Sequence, residues 1–444
     1  MKSFIKSIFF ISILFILNFY TFHCKNLKSR GLSEEKEEKE EKEITIITSD
    51  DEQALKEATF YLWKLGGYIY IDTPVITIKE GSLSITGTLK GGIIGIKQSN
   101  GEYPRLQFIE GRKDSTIPYS HGVDVVGSNK RIQNIIIENA GSFGLFINGQ
   151  QNTFDHVITR YNGESGIYIS QGSDSNTFNY CYSYRNFLLP TNINADGFTI
   201  EVGANNNIFD NCFAWENSQN GFGYHYYNGK NKNGELTYSH SASWNNGNLD
   251  VFSGKYDFDN GKELDKNMWT IQEILKSDKE FEENYKNKTF DLKNAKINNI
   301  AALKFFINYN NEDDGNGFIF GNEKNDPTLT NRRIVDYCVS FDHKLKGFNN
   351  NKSLNFTGLF TNCVGFNNNV NYELPYSFAK WSNNWSWDSK EKDKLDGEVK
   401  VKKPDDIKST NKEFYSVRDK IIDAVNANKF PDVNFDKVIK GLSE

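Results

Sequence analysis

A phrase that recurs through the middle of the chain constrains the fold more than any other feature. It reads Phe-x-x-Cys-x-x-x-x-Asn followed by a Gly-Phe pair, and its cysteine column holds Val157, Cys181, Cys212 and Ser241 in turn. Successive members of this column are 24, 31 and 29 residues apart. A period of this length, with Asn, Gly and aromatic residues in fixed columns, is typical of the coils of a solenoid.

The apolar runs within each repeat are short, such as residues 134–137 and 144–147, and Asn and Gly interrupt them. Runs of this length favour strands over helices, so the repeat predicts an all-β parallel β-helix. Equivalent residues then stack on neighbouring coils about 4.8 Å apart. We expect the Asn column to form an internal amide ladder at a bend that needs left-handed backbone. Its members are Asn162, Asn186, Asn217, Asn246 and Asn368.

The cysteine column, which continues at Cys338 and Cys363, shares its place with Val157 and Ser241. That exchange indicates small buried side chains. No CxxC pair is present, so zinc binding is not expected. A disulfide between stacked neighbours stays open as an alternative in an oxidising compartment.

The N-terminus predicts a secretory signal over residues 1–24, because Lys2 and Lys6 precede an apolar stretch that runs to residue 22. A signal anchor is the alternative, since this stretch approaches membrane-spanning length. Residues 25–43 predict a charged low-complexity spacer. We therefore expect a secreted, extracellular monomer without membrane contact after cleavage. Four sequons are compatible with glycosylation, at Asn287, Asn351, Asn355 and Asn384.

The two ends of the solenoid have helical candidates. Ser49 and Glu52 predict a capping box, and the helix that follows would cover the first coil before Gly66 ends it. The solenoid itself is predicted over residues 44–387. Residues 388–444 predict a linker and a helical tail, with a helix over 413–427 as a cover for the far end.

One coil carries an insertion. Four residues normally separate the Asn column from the Gly-Phe pair, but 71 residues separate Asn246 from Gly317. The insertion is therefore predicted over about residues 248–314. With that gap removed, Gly223, Ile319 and Asn349 share one column, and Asp196, Asn220, Asn316 and Lys346 share another. The two columns are predicted to lie side by side on one lateral face.

Four stretches of these columns resemble the family 9 polysaccharide lyases, right-handed parallel β-helix enzymes that include pectate lyases. The stretches are residues 194–198, 215–222, 315–318 and 361–368, within a resemblance that spans about residues 120–387. The resemblance implies a right-handed, pectin-lyase-like solenoid. It also implies β-elimination on uronic acids, in which calcium neutralises the C6 carboxylate and a lysine removes the C5 proton.

This chain departs from the family pattern at the positions that carry the chemistry. Asp196 matches one of four calcium-binding aspartates, whereas Gln219, Asn220 and Gly223 replace the other three. Ile319 stands at the position of the catalytic lysine. Loss of three anionic ligands and of the base predicts that calcium binds weakly or not at all, and we expect no cofactor.

Other side chains near this register are candidates for substrate binding: Arg185, Tyr224, His225 and Lys346. Arginine and lysine can neutralise a uronate, and tyrosine can stack on a sugar ring. The formal net charge of −6 falls to about −8 without Lys2 and Lys6, which argues against nucleic acid as a partner.

The sequence therefore predicts a secreted β-helix that recognises acidic plant cell-wall polysaccharide such as pectin, without the family's calcium-dependent reaction. The alternative is an active lyase with a rearranged site. A glycoside hydrolase ranks lower because Asp196 has no acidic neighbour in its column. A purely structural surface protein is a further alternative.

Overall fold

The computed structural model describes residues 45–108, 121–186, 195–225, 234–248, 315–321, 331–351, 356–374, 380–395 and 400–443. The predicted signal, spacer and most of the predicted insertion lie outside these ranges. No helix within them is both long enough and apolar enough to cross a membrane.

Three helices and twenty-nine strands occur in the described ranges. The helices are α1 Glu52–Leu65, α2 Ile407–Asn426 and α3 Asp436–Gly441. The strands are β1 Thr45–Ile47, β2 Gly67–Ile71, β3 Val75–Ile78, β4 Leu83–Gly87, β5 Gly91–Gly95, β6 Arg105–Phe108, β7 Val123–Gly127, β8 Lys130–Glu138, β9 Leu145–Ile147, β10 Thr153–Arg160, β11 Ile167–Ile169, β12 Thr177–Asn179, β13 Tyr182–Tyr184, β14 Phe198–Glu201, β15 Asn207–Asp210, β16 Phe213–Trp215, β17 Phe222–His225, β18 Glu235–Ser239, β19 Ala242–Trp244, β20 Phe318–Ile319, β21 Asn331–Asp336, β22 Val339–Phe341, β23 Lys346–Asn349, β24 Phe356–Thr361, β25 Val364–Phe366, β26 Val370–Leu374, β27 Lys380–Ser382, β28 Trp385–Trp387 and β29 Lys394–Leu395.

These strands form two parallel sheets that wrap around one core. Sheet B contains the ten strands β4, β7, β9, β11, β14, β17, β20, β23, β26 and β29, and sheet A contains the other nineteen. In most coils sheet A contributes two short strands with a bend between them, and sheet B contributes the third. The predicted parallel β-helix is confirmed, and it extends past residue 387 because β29 still pairs with β26.

Stacked columns of identical side chains fill the interior. In sheet B the rings of Phe198, Phe222 and Phe318 stack at centroid distances of 4.6 Å. The four cysteines of the repeat are buried, as the exchange with Val157 predicted, and they carry free thiols, so the disulfide alternative is not realised among them. Each of these side chains therefore packs against the equivalent side chain of the neighbouring coil.

The asparagine ladder is confirmed. In each coil the Asn side-chain oxygen accepts the backbone N–H of the equivalent residue on the preceding coil, as Asn217 Oδ1 does from Asn186 at 3.1 Å. The left-handed bend lies one residue earlier than predicted, at Arg185 and Glu216 with φ of 51° and 52°. The ladder amide therefore acts through its hydrogen bonds, and the preceding residue makes the turn.

A second amide ladder, which the repeat pattern did not predict, runs along the opposite bend. Asn152 donates its backbone N–H to Asn176 Oδ1, and Asn176 donates its own to Asn207 Oδ1, both at 2.9 Å. All three are buried. Asn384 similarly accepts the backbone N–H of Cys363 and is 1% exposed, so this predicted sequon is not accessible to glycosylation in the folded chain.

The chain leaves the interrupted coil and returns to it at neighbouring points. A Cβ atom built on Gly247 would lie 2.4 Å from the Cα of Gly315, so only glycine permits this approach. Phe222 pairs with Phe318 across the gap. Residues 249–314 between these points lie outside the described residues.

Helix α1 begins differently from the prediction. Asp51 is the N-cap, and its side chain accepts the N–H of Ala54 at 2.9 Å, so the proposed capping box of Ser49 with Glu52 is wrong. Gly66 ends the helix with φ of 66°, as predicted. The buried side chains of α1 are Leu55, Thr59 and Leu62, and the helix covers the first coils.

The helix predicted over residues 413–427 does not cover the far end of the solenoid, where residues 400–402 of the linker pair with the last coil instead. Helices α2 and α3 pack along the outer surface of sheet A, where Phe414 and Phe435 join a second apolar cluster. Arg160 in β10 fixes the tail from the solenoid side, because its guanidinium donates to Asn428 at 2.8 Å and to Glu138 at 2.7 Å. The outward-facing tryptophan and phenylalanine column of sheet A requires this cover.

One ladder position holds histidine in place of asparagine. His343 Nδ1 accepts the backbone N–H of Asn246 at 3.2 Å, and Nε2 donates to the carbonyl of Ser243 at 3.0 Å. The ring is 2% exposed. Burial lowers the pKa of His343 from 6.5 to about 3, so the folded protein holds it neutral.

We predict that His343 makes the protein sensitive to acid. Below pH 6.5 the unfolded chain binds a proton that the folded chain rejects until about pH 3, so stability falls as the pH drops through this range. The slope from this residue is about 1.4 kcal/mol per pH unit. His343→Asn should remove that part of the slope, measured by chemical unfolding at several pH values. An unchanged slope in the variant would contradict the assignment, and Asn369→Ala, next to the ladder, serves as the unaffected control.

Candidate functional site

Sheet B brings the predicted columns together. Thr199 pairs with Gly223, and the pairing of Phe222 with Phe318 sets Gly223 beside Ile319 on the next coil. Ile319 pairs in turn with Asn349. The predicted column of Gly223, Ile319 and Asn349 is confirmed. Its members alternate along the strands with the inward-pointing phenylalanines, and all three are buried.

The neighbouring column is a buried hydrogen-bond ladder that ends on a carboxylate. Asn220 donates its backbone and side-chain N–H groups to Asp196 Oδ1 at 3.0 and 2.9 Å. Asn316 donates the same two groups to Asn220 Oδ1, both at 2.9 Å. Asp196 and Asn220 are 0% exposed and Asn316 is 1% exposed. The oxygens of this column are therefore used within the protein.

The second oxygen of Asp196 is also bound. Oδ2 accepts the hydroxyl of Thr199 at 2.9 Å and His225 Nε2 at 2.6 Å. A carboxylate can only accept, so the imidazole carries its proton on Nε2. Ser165 Oγ lies 2.6 Å from Thr199 Oγ1 and donates to it, since the Thr199 proton points to Asp196. Burial of a carboxylate is costly unless it is bonded in this way.

Gly223 makes this arrangement possible. A Cβ atom at this position would lie 2.1 Å from Asp196 Oδ2 and 2.4 Å from His225 Nε2. Any side chain would therefore displace the contact between the carboxylate and the imidazole. Gly223 leaves the space through which His225 reaches Asp196.

These residues do not fit the calcium site that the resemblance implies. Calcium takes six to eight oxygen ligands, yet each oxygen of Asp196 already accepts two protein donors. Gln219 Oε1 accepts the backbone N–H of Ala195 at 3.0 Å, so it too is engaged. Within the described ranges, no group of three or more His, Cys, Asp or Glu side chains could hold a metal ion.

The remaining predicted residues do not gather at this point. Ile319 is 6% exposed within the core cluster and has no proton-accepting atom. Tyr224 faces the interior at 2% exposure, and the Arg333 guanidinium lies 4.8 Å from the centre of its ring. The prediction that Tyr224 stacks on a sugar is therefore wrong. Arg185 lies in the bend after β13 and pairs with Glu216 at 2.6 Å.

Lys346 follows the ladder column in sequence, yet its side chain turns to Glu373. Burial opposes ionisation of Glu373, but the hydrogen bonds and charges of Lys346 and Lys394 together outweigh it and lower the pKa of Glu373. The residues that the structure brings into contact are therefore Asp196, Asn220 and His225 around the open position at Gly223. His225 is the partly exposed member, with 26% of its side chain accessible.

The outer face of sheet B carries further side chains that the repeat did not single out. Phe146 pairs with Tyr168, and Tyr168 pairs with Thr199, so an aromatic strip continues the Gly223 column toward the N-terminus. His121 stacks on Phe146 at 4.6 Å and bonds Asp124 at 2.6 Å. Alternation within the strands could have identified this strip, because Phe146 and Tyr168 occupy outward positions.

Two carboxyl groups border the aromatic strip. Glu164 accepts the hydroxyl of Ser142 at 2.5 Å, and burial raises the pKa of Glu164. Glu201 accepts the hydroxyl of Tyr168. The face therefore offers aromatic edges, carboxyl groups with partners and the partly exposed imidazole of His225.

We predict that the His225 contact stabilises the fold because it satisfies a buried charge. His225→Phe keeps a ring but removes the donor, and should lower the free energy of unfolding by about 2 kcal/mol. The matched control is His121→Phe, which keeps the stack on Phe146 and removes a bond to the partly exposed Asp124. In His121→Phe the free energy of unfolding should fall by less than about 1 kcal/mol. Equal losses in urea unfolding would contradict the role given to Asp196 burial.

Comparison with known proteins agrees with this architecture. Residues 38–262, just over half of the chain, match the family described as Pel9A-like, right handed beta helix region. Pectate lyase L of Dickeya chrysanthemi is 31% identical over 105 residues, which are 23% of this chain and 25% of that protein. Pectate lyase L of Dickeya dadantii (strain 3937) is 33% identical over an alignment of the same length and coverage. The alignments thus span about a quarter of these curated relatives.

Solved structures share the fold at low sequence identity. A rhamnogalacturonan lyase superposes with a TM-score of 0.53 at 17% identity, covering 83% of this chain and 88% of that one. The crystal structure of pectate lyase Pel9A gives a TM-score of 0.47 at 20% identity, covering 78% of this chain and 70% of that one. With the parallel sheets and the matched region together, this chain belongs to the Pel9A-like family of right-handed β-helices.

Proposed function

We propose that this protein is an extracellular β-helix that recognises acidic plant cell-wall polysaccharide on the outer face of sheet B, without calcium-dependent β-elimination. The observation that carries this proposal is the Asp196 carboxylate, whose two oxygens accept four protein donors. Pectate lyases and a rhamnogalacturonan lyase among its relatives support a polysaccharide as the ligand.

The chemistry of elimination supports the loss of the family reaction. Removal of the C5 proton needs a base, and the position of the family lysine holds Ile319. Neutralisation of the C6 carboxylate needs a cation, and the partner of Asp196 is an imidazole N–H. Both requirements are therefore unmet at the family positions.

The geometry of sheet B supports recognition of a regular polymer. Its outward columns repeat once per coil, about 4.8 Å apart. The carboxyl groups of Asp124, Asp196 and Glu201 each have a donor from His121, His225 or Tyr168, which limits their repulsion of an acidic chain. Phe143 and Phe146 add half-buried apolar surface for the faces and edges of sugar rings.

A second candidate is a metal-independent lyase, and the Asp196–His225 pair favours it. With its proton on Nε2, a neutral imidazole carries its lone pair on Nδ1, where it can act as a base. Orientation of a histidine by a buried carboxylate is the arrangement that general bases use in hydrolases. In this candidate His225 would take the C5 proton that the family lysine takes.

One assay separates these candidates. The full chain is incubated with polygalacturonate, with calcium and again with chelator, while ultraviolet absorbance reports unsaturated product and affinity electrophoresis reports binding. We expect retarded migration in the polysaccharide gel and no rise in absorbance under either condition. Retardation should weaken in a Phe146→Ala variant.

Three outcomes would change the account. A rise in absorbance that needs calcium would contradict the proposal. A rise that survives chelation and is lost in His225→Phe but kept in His121→Phe would establish the second candidate. Unchanged migration in gels of polygalacturonate and of rhamnogalacturonan would contradict recognition of acidic pectic polymers.

A further inference from the structure

A groove of about 800 Å³ lies between helix α2 and the bends of the solenoid, away from sheet B. One wall is formed by the bend residues with left-handed backbone that come directly after the strands of sheet A. They are Glu216, Asn245, Asp342 and Asn367, on successive coils. The other wall is α2, which contributes Tyr415, Arg418 and Ile422. None of the residues that line it belongs to the Asp196 and His225 contact.

The charges around the groove favour an anionic ligand. Three cations line it, Lys344, Lys390 and Arg418, against the two acids Glu216 and Asp342. Both acids are already engaged. Glu216 pairs with Arg185 at 2.6 Å, and Asp342 accepts Asn367 at 2.6 Å and the Tyr415 hydroxyl at 2.9 Å. The cations that line the groove therefore outnumber its acids, which favours an anion there.

Arg418 is held in a position to meet that partner. Its guanidinium lies 4.5 Å from the centre of the Tyr415 ring, which orients its plane along the groove wall. Its guanidinium pairs with Asp342 on the opposite wall at 3.7 Å and with Asp419, whose side chain is 60% exposed, at 2.8 Å. The first pair is long and the second is exposed, and such pairs contribute little, so a ligand carboxylate can compete for the guanidinium.

An unsatisfied donor lies in the same wall. Trp244 lines the groove at 1% exposure, and among the described residues its indole Nε1 has no hydrogen-bond partner. Trp387, in the same stacked column, gives its indole N–H to Asn411 of α2 at 2.7 Å. A buried donor without an acceptor is unfavourable. An acceptor supplied by a ligand in the groove would relieve this cost.

We propose that this groove is a second carbohydrate site, which binds an acidic sugar by its carboxylate. Arg418 binds the carboxylate, Lys344 and Lys390 add positive charge, and Trp244 Nε1 donates to a ring or hydroxyl oxygen. Asn245 and Asn367 supply amides for the sugar hydroxyls. This site is independent of the polymer face on sheet B and would persist if that face bound nothing.

The test is calorimetric titration of the full chain with trigalacturonate, alongside neutral galactotriose. Arg418→Gln from one wall and Lys344→Gln from the other should each weaken trigalacturonate binding by about tenfold. The matched control is Lys420→Gln, which makes the same charge change on an exposed part of α2 outside the groove and should change affinity less than about twofold. Galactotriose should not bind.

The Trp244 indole N–H provides a readout specific to the groove. In ¹⁵N-labelled protein its resonance, identified with Trp244→Phe, should shift on titration with trigalacturonate in the wild type and in Phe146→Ala. A shift that persists in Phe146→Ala separates this site from sheet B. The proposal is overturned if Arg418→Gln and Lys420→Gln bind equally well, if the neutral sugar binds as tightly, or if the indole resonance does not move.

Discussion

The fold depends on side-chain amides that bond from one coil to the next inside the solenoid. A β-helix turns sharply two or three times per coil, and each turn leaves backbone N–H groups that no strand can satisfy. Here the ladders through Asn186 and Asn217, and through Asn152 and Asn176, supply an acceptor for those groups at every level. The same bonds fix the register, because a coil that slipped by one residue would leave buried donors unmatched.

The candidate site is an extension of this ladder chemistry to a charged residue. Asp196 occupies the place where the next coils hold Asn220 and Asn316, and it accepts the N–H groups of Asn220 just as Asn220 accepts those of Asn316. The extra negative charge needs an additional donor, which His225 provides across the gap at Gly223. The Asp196 carboxylate is thereby part of the buried polar framework, and each of its oxygens accepts two protein donors.

Much of this architecture could be predicted from the sequence because columns repeat. The register across the interrupted coil placed Gly223 beside Ile319, and the pairing of Phe222 with Phe318 agrees. The roles of single positions were harder to predict. The inward direction of Tyr224 follows from strand alternation, whereas its sequence neighbourhood of aromatic residues suggested a sugar contact. His225 was one candidate among several, since nothing in the pattern indicates that its ring spans a glycine to reach Asp196.

Parts without a repeat were predicted least well. The tail shows helical periodicity, but periodicity does not say which surface a helix covers. Here the helices cover the outer surface of sheet A, because α2 and α3 bury the outward-facing column of Trp215, Trp244 and Trp387. The groove lined by Arg418 exists because of this packing and could not be inferred from the order of residues alone.

Calcium titration of the wild-type chain by calorimetry tests the central claim, that His225 has taken the position of a cation on Asp196, most directly. The account predicts no saturable calcium binding in the wild type, and an unchanged result in Asp196→Asn. Stoichiometric calcium binding that Asp196→Asn abolishes would contradict it, because the carboxylate would then be available to an ion despite its four protein donors.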